Sequence, residues 1–99
     1  MVRHIVLWTF HDAFSPEEKA AHAQRIKTEL ESLKGVIDGI VEITVVPSPL
    51  PASTCDAALV SLFESEEALK GYQGHPEHQK ARSFIHSVLQ SRTCLDYVE

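Results

Sequence analysis

Six histidines occur among 99 residues, and several stand where acid–base chemistry could be carried out. His4 opens an apolar run on the same alternating face as Val6 and Trp8. His75 and His78 flank Pro76 in Tyr72-Gln73-Gly74-His75-Pro76-Glu77-His78, and Asp96 stands between Leu95 and Tyr97 in a segment whose strand-like character disfavours Asp. Imidazoles titrate near neutrality, and a carboxylate that accepts from one ring nitrogen fixes the tautomer and raises basicity. A His–Asp pair beside a second His and a Tyr hydroxyl therefore has the composition of a general acid/base site. The same residues admit plainer roles. His75-Pro76 reads as a helix-start turn whose ring caps backbone amides. His78 also fits a satisfied, half-buried histidine, His4 a strand-end residue and Asp96 an acceptor for a neighbouring loop. His22 falls at the flank of a helical stripe, while His11 and His86 read as solvent-facing. Trp8 reads as core or pocket wall.

Rival chemistries are weaker. His75, His78, His4 and Asp96 offer nitrogen and oxygen donors suited to zinc or iron, but Pro76 separates the adjacent histidines and the pair straddles a helix start. No metal or cofactor is expected. Cys55 and Cys94 lie far from any His in sequence, and neither a nucleophile turn nor a glycine-rich phosphate loop occurs.

The elements that must position these residues follow from periodicity and punctuation. His4–Phe10 is β-branched and aromatic, bounded by His11-Asp12, and reads as a strand. Ser15, Pro16 and Glu18 form a helix start with a capping box, and Ala23, Ile26, Leu30 and Leu33 recur at helical spacing up to Lys34-Gly35. Ile40–Val46 alternates as a second strand, and the prolines at 47, 49 and 51 impose a loop. Ala57–Phe63 is a third strand. Ser65-Glu66-Glu67 opens a short helix to about Gln73, Pro76 starts another reaching roughly Val88, and Thr93–Val98 closes as a fourth strand. The order β-α-β, β-α-α-β in one domain over residues 1–99 predicts an α+β, ferredoxin-like arrangement: a four-stranded antiparallel sheet with helices on one face.

Both faces of the strands are apolar, however. Ile5 and Leu7 oppose His4, Val6, Trp8 and Phe10, while Ala58, Val60 and Leu62 oppose Leu59 and Phe63. Helices cover one face only, so a second copy packed sheet against sheet is the economical cover for the other. The expected partner is therefore the chain itself, as a homodimer. A formal charge of -5 without any Lys/Arg cluster argues against nucleic acid. No apolar run approaches the roughly 20 residues that span a bilayer. The absence of CxxC spacing and of a signal-peptide pattern in Met-Val-Arg-His suggests a cytoplasmic setting.

Arg3-His4-Ile5-Val6-Leu7-Trp8-Thr9-Phe10, the Ala58–Ser65 strand, Leu69–His78 with its Tyr-x-x-His-Pro-x-His core, and Asp96-Tyr97 together resemble the stress-responsive dimeric α/β-barrel (Dabb) domains over essentially the whole chain. The resemblance implies a ferredoxin-like monomer and a sheet-to-sheet dimer. It also implies a link to stress response and, in the family's cyclase branch, ring closure of polyketide chains. That branch uses a helix-start His paired with a strand Asp as base, assisted by a first-strand His and a Tyr. These roles fall on His78, Asp96, His4 and Tyr72, which places His78 within hydrogen-bond reach of Asp96. Ala23 and Ile26 occupy the helix stripe where that branch carries aromatic pocket residues. Because Ala23 is small, the helix is expected to leave an apolar pocket above Val6 and Trp8, walled by Ala23 and Ile26. Three functions are open: a cofactor-independent acid/base enzyme on a small carbonyl or aromatic compound, a stress-protective dimer that binds a small apolar ligand without turnover, or a purely structural interaction protein.

Overall fold

The apolar alternation at the start of the chain becomes a strand, β1, over Val2–Phe10, in a computed structural model that describes residues 1–99. It begins before the expected His4 because Val2 and Arg3 already pair with residues on both flanking strands. Helix α1 spans Pro16–Glu31. Its Ser15 cap accepts from the Glu18 N–H at 3.1 Å, and the Glu18 carboxylate accepts from the Ser15 N–H at 2.8 Å, the reciprocal box that its sequence predicts. The helix ends at Glu31 rather than Lys34, although Leu33 and Ile37 remain buried. The apolar spacing thus outlasts the helix, and the chain turns through Gly35 and Gly39 at φ of +90° and +91°.

Strands β2 (Ile40–Val46) and β3 (Ala57–Phe63) fall where alternation places them. Helix α2 (Glu66–Gly74) is capped by Ser65, and α3 (Pro76–Val88) by His75, whose Nδ1 accepts from the Glu77 N–H at 3.1 Å. The final strand, β4, covers Leu89–Val98. It starts at Leu89 rather than Thr93 because Leu89 and Ser91 already pair with Phe10 and Thr9. The polar Gln90-Ser91-Arg92 conceals this edge pairing from a hydrophobicity reading.

The strands form one antiparallel sheet in the order β2-β3-β1-β4, the expected α+β ferredoxin-like topology. The helices make their main contacts with β2, β3 and one another. Beneath them Val6, Trp8 and Phe10 of β1 join Ile26 and Leu30 of α1 and Tyr72 of α2 in one core. The opposite sheet face has no cover within the chain: Leu7, Leu95 and Tyr97 are 37%, 56% and 43% exposed. No helix is long and apolar enough to cross a membrane.

The two turn glycines separate strain from packing. A Cβ at Gly35 meets nothing within 4 Å, whereas one at Gly39 would lie 2.6 Å from the Ala68 Cβ. Gly35→Ala carries only the left-handed penalty, about 1–2 kcal/mol. Gly39→Ala adds a clash with α2 and is expected to cost roughly 1–3 kcal/mol beyond that. Urea unfolding of both variants measures the difference, and equal losses would show that α2 yields without cost.

Candidate functional site

Antiparallel register sets three polar residues side by side across the sheet. His4 on β1 lies opposite Ser61 on β3 and opposite Asp96 on β4, so all three project from the helix-bearing face. Ser61 and His4 are the two buried polar residues of the chain. Both are satisfied: Ser61 Oγ donates to the His4 carbonyl at 2.7 Å, and His4 Nδ1 is hydrogen-bonded to Asp96 Oδ1. An ionised carboxylate only accepts, so the imidazole N–H donates and the other ring nitrogen is left free. Cys94, two residues before Asp96 on the same face, places Sγ 3.5 Å from Asp96 Oδ1.

Over β1 and beside β4 lies a cavity of about 340 Å³ lined by twelve residues. His4, Val6 and Trp8 line it from β1, and Tyr72 and Gln73 from α2. His78, Arg82, Ile85 and His86 contribute from α3, with Leu30, Leu59 and Arg92 completing the wall. The Tyr72 and His78 rings lie 4.3 Å apart between centroids. His78 Nδ1 donates to the Gln73 carbonyl at 3.2 Å, which leaves its Nε2 as an acceptor. Burial lowers the His78 pKa below its ordinary value of 6.5, and the guanidiniums of Arg82 and Arg92 act in the same direction against the bond to Gln73. Its imidazole is therefore neutral at neutral pH. Burial also holds the Tyr72 phenol protonated far above its usual range, only partly offset by Arg92. The Tyr72 hydroxyl is buried and has no hydrogen-bond partner within the chain.

Of the residues singled out by sequence, His4, Tyr72, His78, Val6 and Trp8 meet at this cavity. Two expectations need correction. Asp96 is bonded to His4 and not to His78, because β-register aligns Asp96 with His4 while the turn at Gly74-His75 directs His78 to the Gln73 carbonyl. Ala23 and Ile26 are each 1% exposed in the closed core and do not line the cavity, since α1 packs over β2 and against α3. The open space lies nearer β4, where Leu30 is the α1 contribution. His86 is exposed, as expected, and stands at the cavity rim, where it accepts from Arg82 Nε at 3.4 Å. Sequence reasoning missed Arg82 and Arg92 altogether. Helical spacing from His78 to Arg82 and Ile85, and strand alternation from Asp96 back to Arg92, were the signals that could have found them.

The donor atoms of His4, Cys94 and Asp96 lie within 4.8 Å of one another. This mixed nitrogen, sulfur and oxygen set suits a borderline cation such as zinc, provided the His4–Asp96 hydrogen bond opens to admit it. Burial and the adjacent Asp96 carboxylate push the Cys94 thiol up, so it holds its proton at neutral pH.

The orphaned Tyr72 hydroxyl makes a clean prediction. Removing an unpaired buried polar atom is neutral or stabilising. Tyr72→Phe should therefore leave the unfolding free energy from urea titration unchanged or raised by up to about 1 kcal/mol. A loss above that size would show that the hydroxyl is already satisfied in the ligand-free protein.

The family model of the stress responsive A/B barrel domain, Dabb, matches residues 2–99. No curated protein matches. A dimeric protein of unknown function and ferredoxin-like fold from Bacteroides fragilis superposes with a TM-score of 0.92 at 35% identity, covering 99% of this chain and 95% of that one. A dimeric ferredoxin-like protein of unknown function from Thermobifida fusca superposes at 0.81 with 25% identity, over 99% and 90% of the two chains. A hydroxynitrile lyase from Passiflora edulis shares the fold at 0.78 with 17% identity, over 99% and 92%. With the domain model spanning the chain from β1 through β4, this protein belongs to the stress responsive A/B barrel (Dabb) family.

Proposed function

We propose that the chain is a homodimeric A/B barrel protein that binds a small carbonyl or aromatic compound in the β1–α3 cavity and moves a proton on it without a cofactor. One observation carries this reading: a neutral His78 packs against Tyr72, whose buried hydroxyl lacks a partner, and both line the same cavity. In the forward step His78 Nε2 takes the proton from the carbon next to a carbonyl. The electron pair moves to the carbonyl oxygen, where the Tyr72 O–H donates a hydrogen bond to the developing enolate. Return of the proton from the His78 imidazolium to carbon or oxygen restores the site. His4, held by Asp96, presents its free ring nitrogen as a further polar group of the floor. The lyase activity named for the Passiflora relative is consistent with proton transfer on this fold.

A second reading has its own support. Asp96 is engaged with His4, and His78 leans on a neutral carbonyl, so the base lacks the carboxylate that would strengthen it. On that reading the dimer binds its ligand without turnover. Trp8 is the chain's single tryptophan and lines the cavity, so its fluorescence reports occupancy of the site. Compounds from an aryl ketone and aryl keto-acid panel that alter Trp8 emission would be incubated with the protein in D2O and followed by NMR. Exchange at the carbon alpha to the carbonyl should proceed in the parent and fall by about 10²–10⁴-fold in His78→Ala, with the Trp8 response retained. The rate should be flat through neutrality and decline only at a pH lower than that at which an ordinary imidazole protonates, because the base is lost when His78 is protonated and burial lowers its pKa. Binding without any His78-dependent exchange leaves the second reading standing.

The dimer rests on the uncovered sheet face and on relatives described as dimeric. Ile5, Leu7, Val60 and Leu95 lie on that face and form its apolar surface. Sedimentation at micromolar concentration should give a dimer, and Val60→Glu a folded monomer, because a buried unpaired charge outweighs the apolar contact it replaces. A monodisperse parent monomer would remove the dimer from the proposal.

A further inference from the structure

The chain carries four arginines, at positions 3, 25, 82 and 92. Arg3 is bound to Glu42 at 3.1 Å and to Glu99 at 2.6 Å, and Arg25 to Glu29 at 2.6 Å. None of the chain's ion pairs includes Arg82 or Arg92. These two line the same cavity, one from α3 and the other from β4. Among the twelve lining residues no Asp or Glu occurs, although acidic side chains outnumber basic ones by 14 to 9 in the chain as a whole. The acid closest to the site, Asp96, is turned to His4 and lines a separate cavity with Glu66 and Lys70. The two arginines outside any ion pair thus share one cavity, half of whose lining residues are hydrophobic.

We infer that the natural ligand of this cavity is an anion: a small apolar body bearing a carboxylate that Arg82 and Arg92 receive at the rim. The inference rests on the ligand-binding part of the reading above and narrows its substrate class. A guanidinium presents its donors as a fork matched to the two oxygens of a carboxylate, so the pairing fixes orientation as well as charge. With the carboxylate held at the solvent-exposed rim, the apolar end is directed inward along Ile85, Leu59 and Val6 toward Trp8. The middle of such a molecule would then pass the Tyr72–His78 pair, where a carbonyl would meet the orphaned hydroxyl. The positive field is already felt within the site, since both arginines oppose protonation of His78 and Arg92 favours ionisation of Tyr72.

Isosteric pairs that differ only in charge test this directly: phenylacetate against phenylacetamide, and hexanoate against hexanamide, each titrated against Trp8 fluorescence. The acids are expected to bind about tenfold more tightly than the amides at low salt, with the gap closing as ionic strength rises toward 0.5 M or so. In the Arg82→Gln, Arg92→Gln double variant the preference should fall to near unity, the acids losing far more affinity than the amides. Both residues are exposed, so its urea midpoint should match the parent. Equal affinity of acids and amides in the parent, or a preference that survives the double variant, would overturn the inference and leave the pocket intact. Failure of every compound to perturb Trp8 up to solubility overturns the pocket itself, and the inference with it.

Discussion

The interaction on which the site depends is the polar row Ser61–His4–Asp96 across three strands. A histidine and a serine buried beneath helices are tolerated only when their hydrogen bonds are complete, because desolvating an unpaired polar group costs several kcal/mol (about 1–3 by mutational measures). Here the sheet completes them. Ser61 takes the His4 carbonyl as its acceptor, and Asp96 enters from the edge strand to accept from the imidazole. Slipping β4 by one residue against β1 would send Asp96 to the open face and strand His4 without a partner. The register of the edge strand is therefore set by a buried hydrogen bond as well as by apolar pattern.

The one buried hydroxyl that the fold leaves unsatisfied belongs to Tyr72, next to that row. The contrast is informative. Packing could have placed Phe at this position with no loss of core volume, and Phe63 at 4.9 Å already supplies the neighbouring aromatic ring. An unpaired hydroxyl retained against His78 and a cavity contributes nothing to stability. On the proposed reading, its value lies in a hydrogen bond made to a bound ligand.

Much of the fold was legible because local signals agreed. Alternation in β1, the Ser15/Glu18 box, the proline loop and the His75-Pro76 cap each predicted what the backbone does. The failures have physical causes. The end of α1 was masked by Leu33 and Ile37, which stay buried after the helix stops and so extend its period. The start of β4 was hidden because an exposed edge strand needs no apolar residues to pair its backbone. The candidate site divided the same way. His4, Val6 and Trp8 share a face by simple alternation, whereas the partner of Asp96 depends on inter-strand register, which one strand's pattern does not specify. Arg82 and Arg92 escaped notice because an isolated arginine on a polar helix face or edge strand ordinarily reads as solvated surface.

Their significance emerges only against the charge of the whole molecule. A chain of net charge -5 repels anions at long range, which alone would disfavour an acidic ligand. That repulsion is screened beyond roughly 8 Å at physiological ionic strength. Within the cavity the nearest charges decide the matter. These are two guanidiniums outside any ion pair, at the edge of a region walled by Trp8, Leu59 and Ile85 whose lining includes no carboxylate. Arg3 and Arg25, each neutralised by glutamates, show what becomes of an arginine elsewhere on this surface. The acidic exterior and the cationic cavity are therefore compatible. The first sets the long-range field and selects little, while the second, on the proposed reading, acts over a few ångströms on whatever has entered.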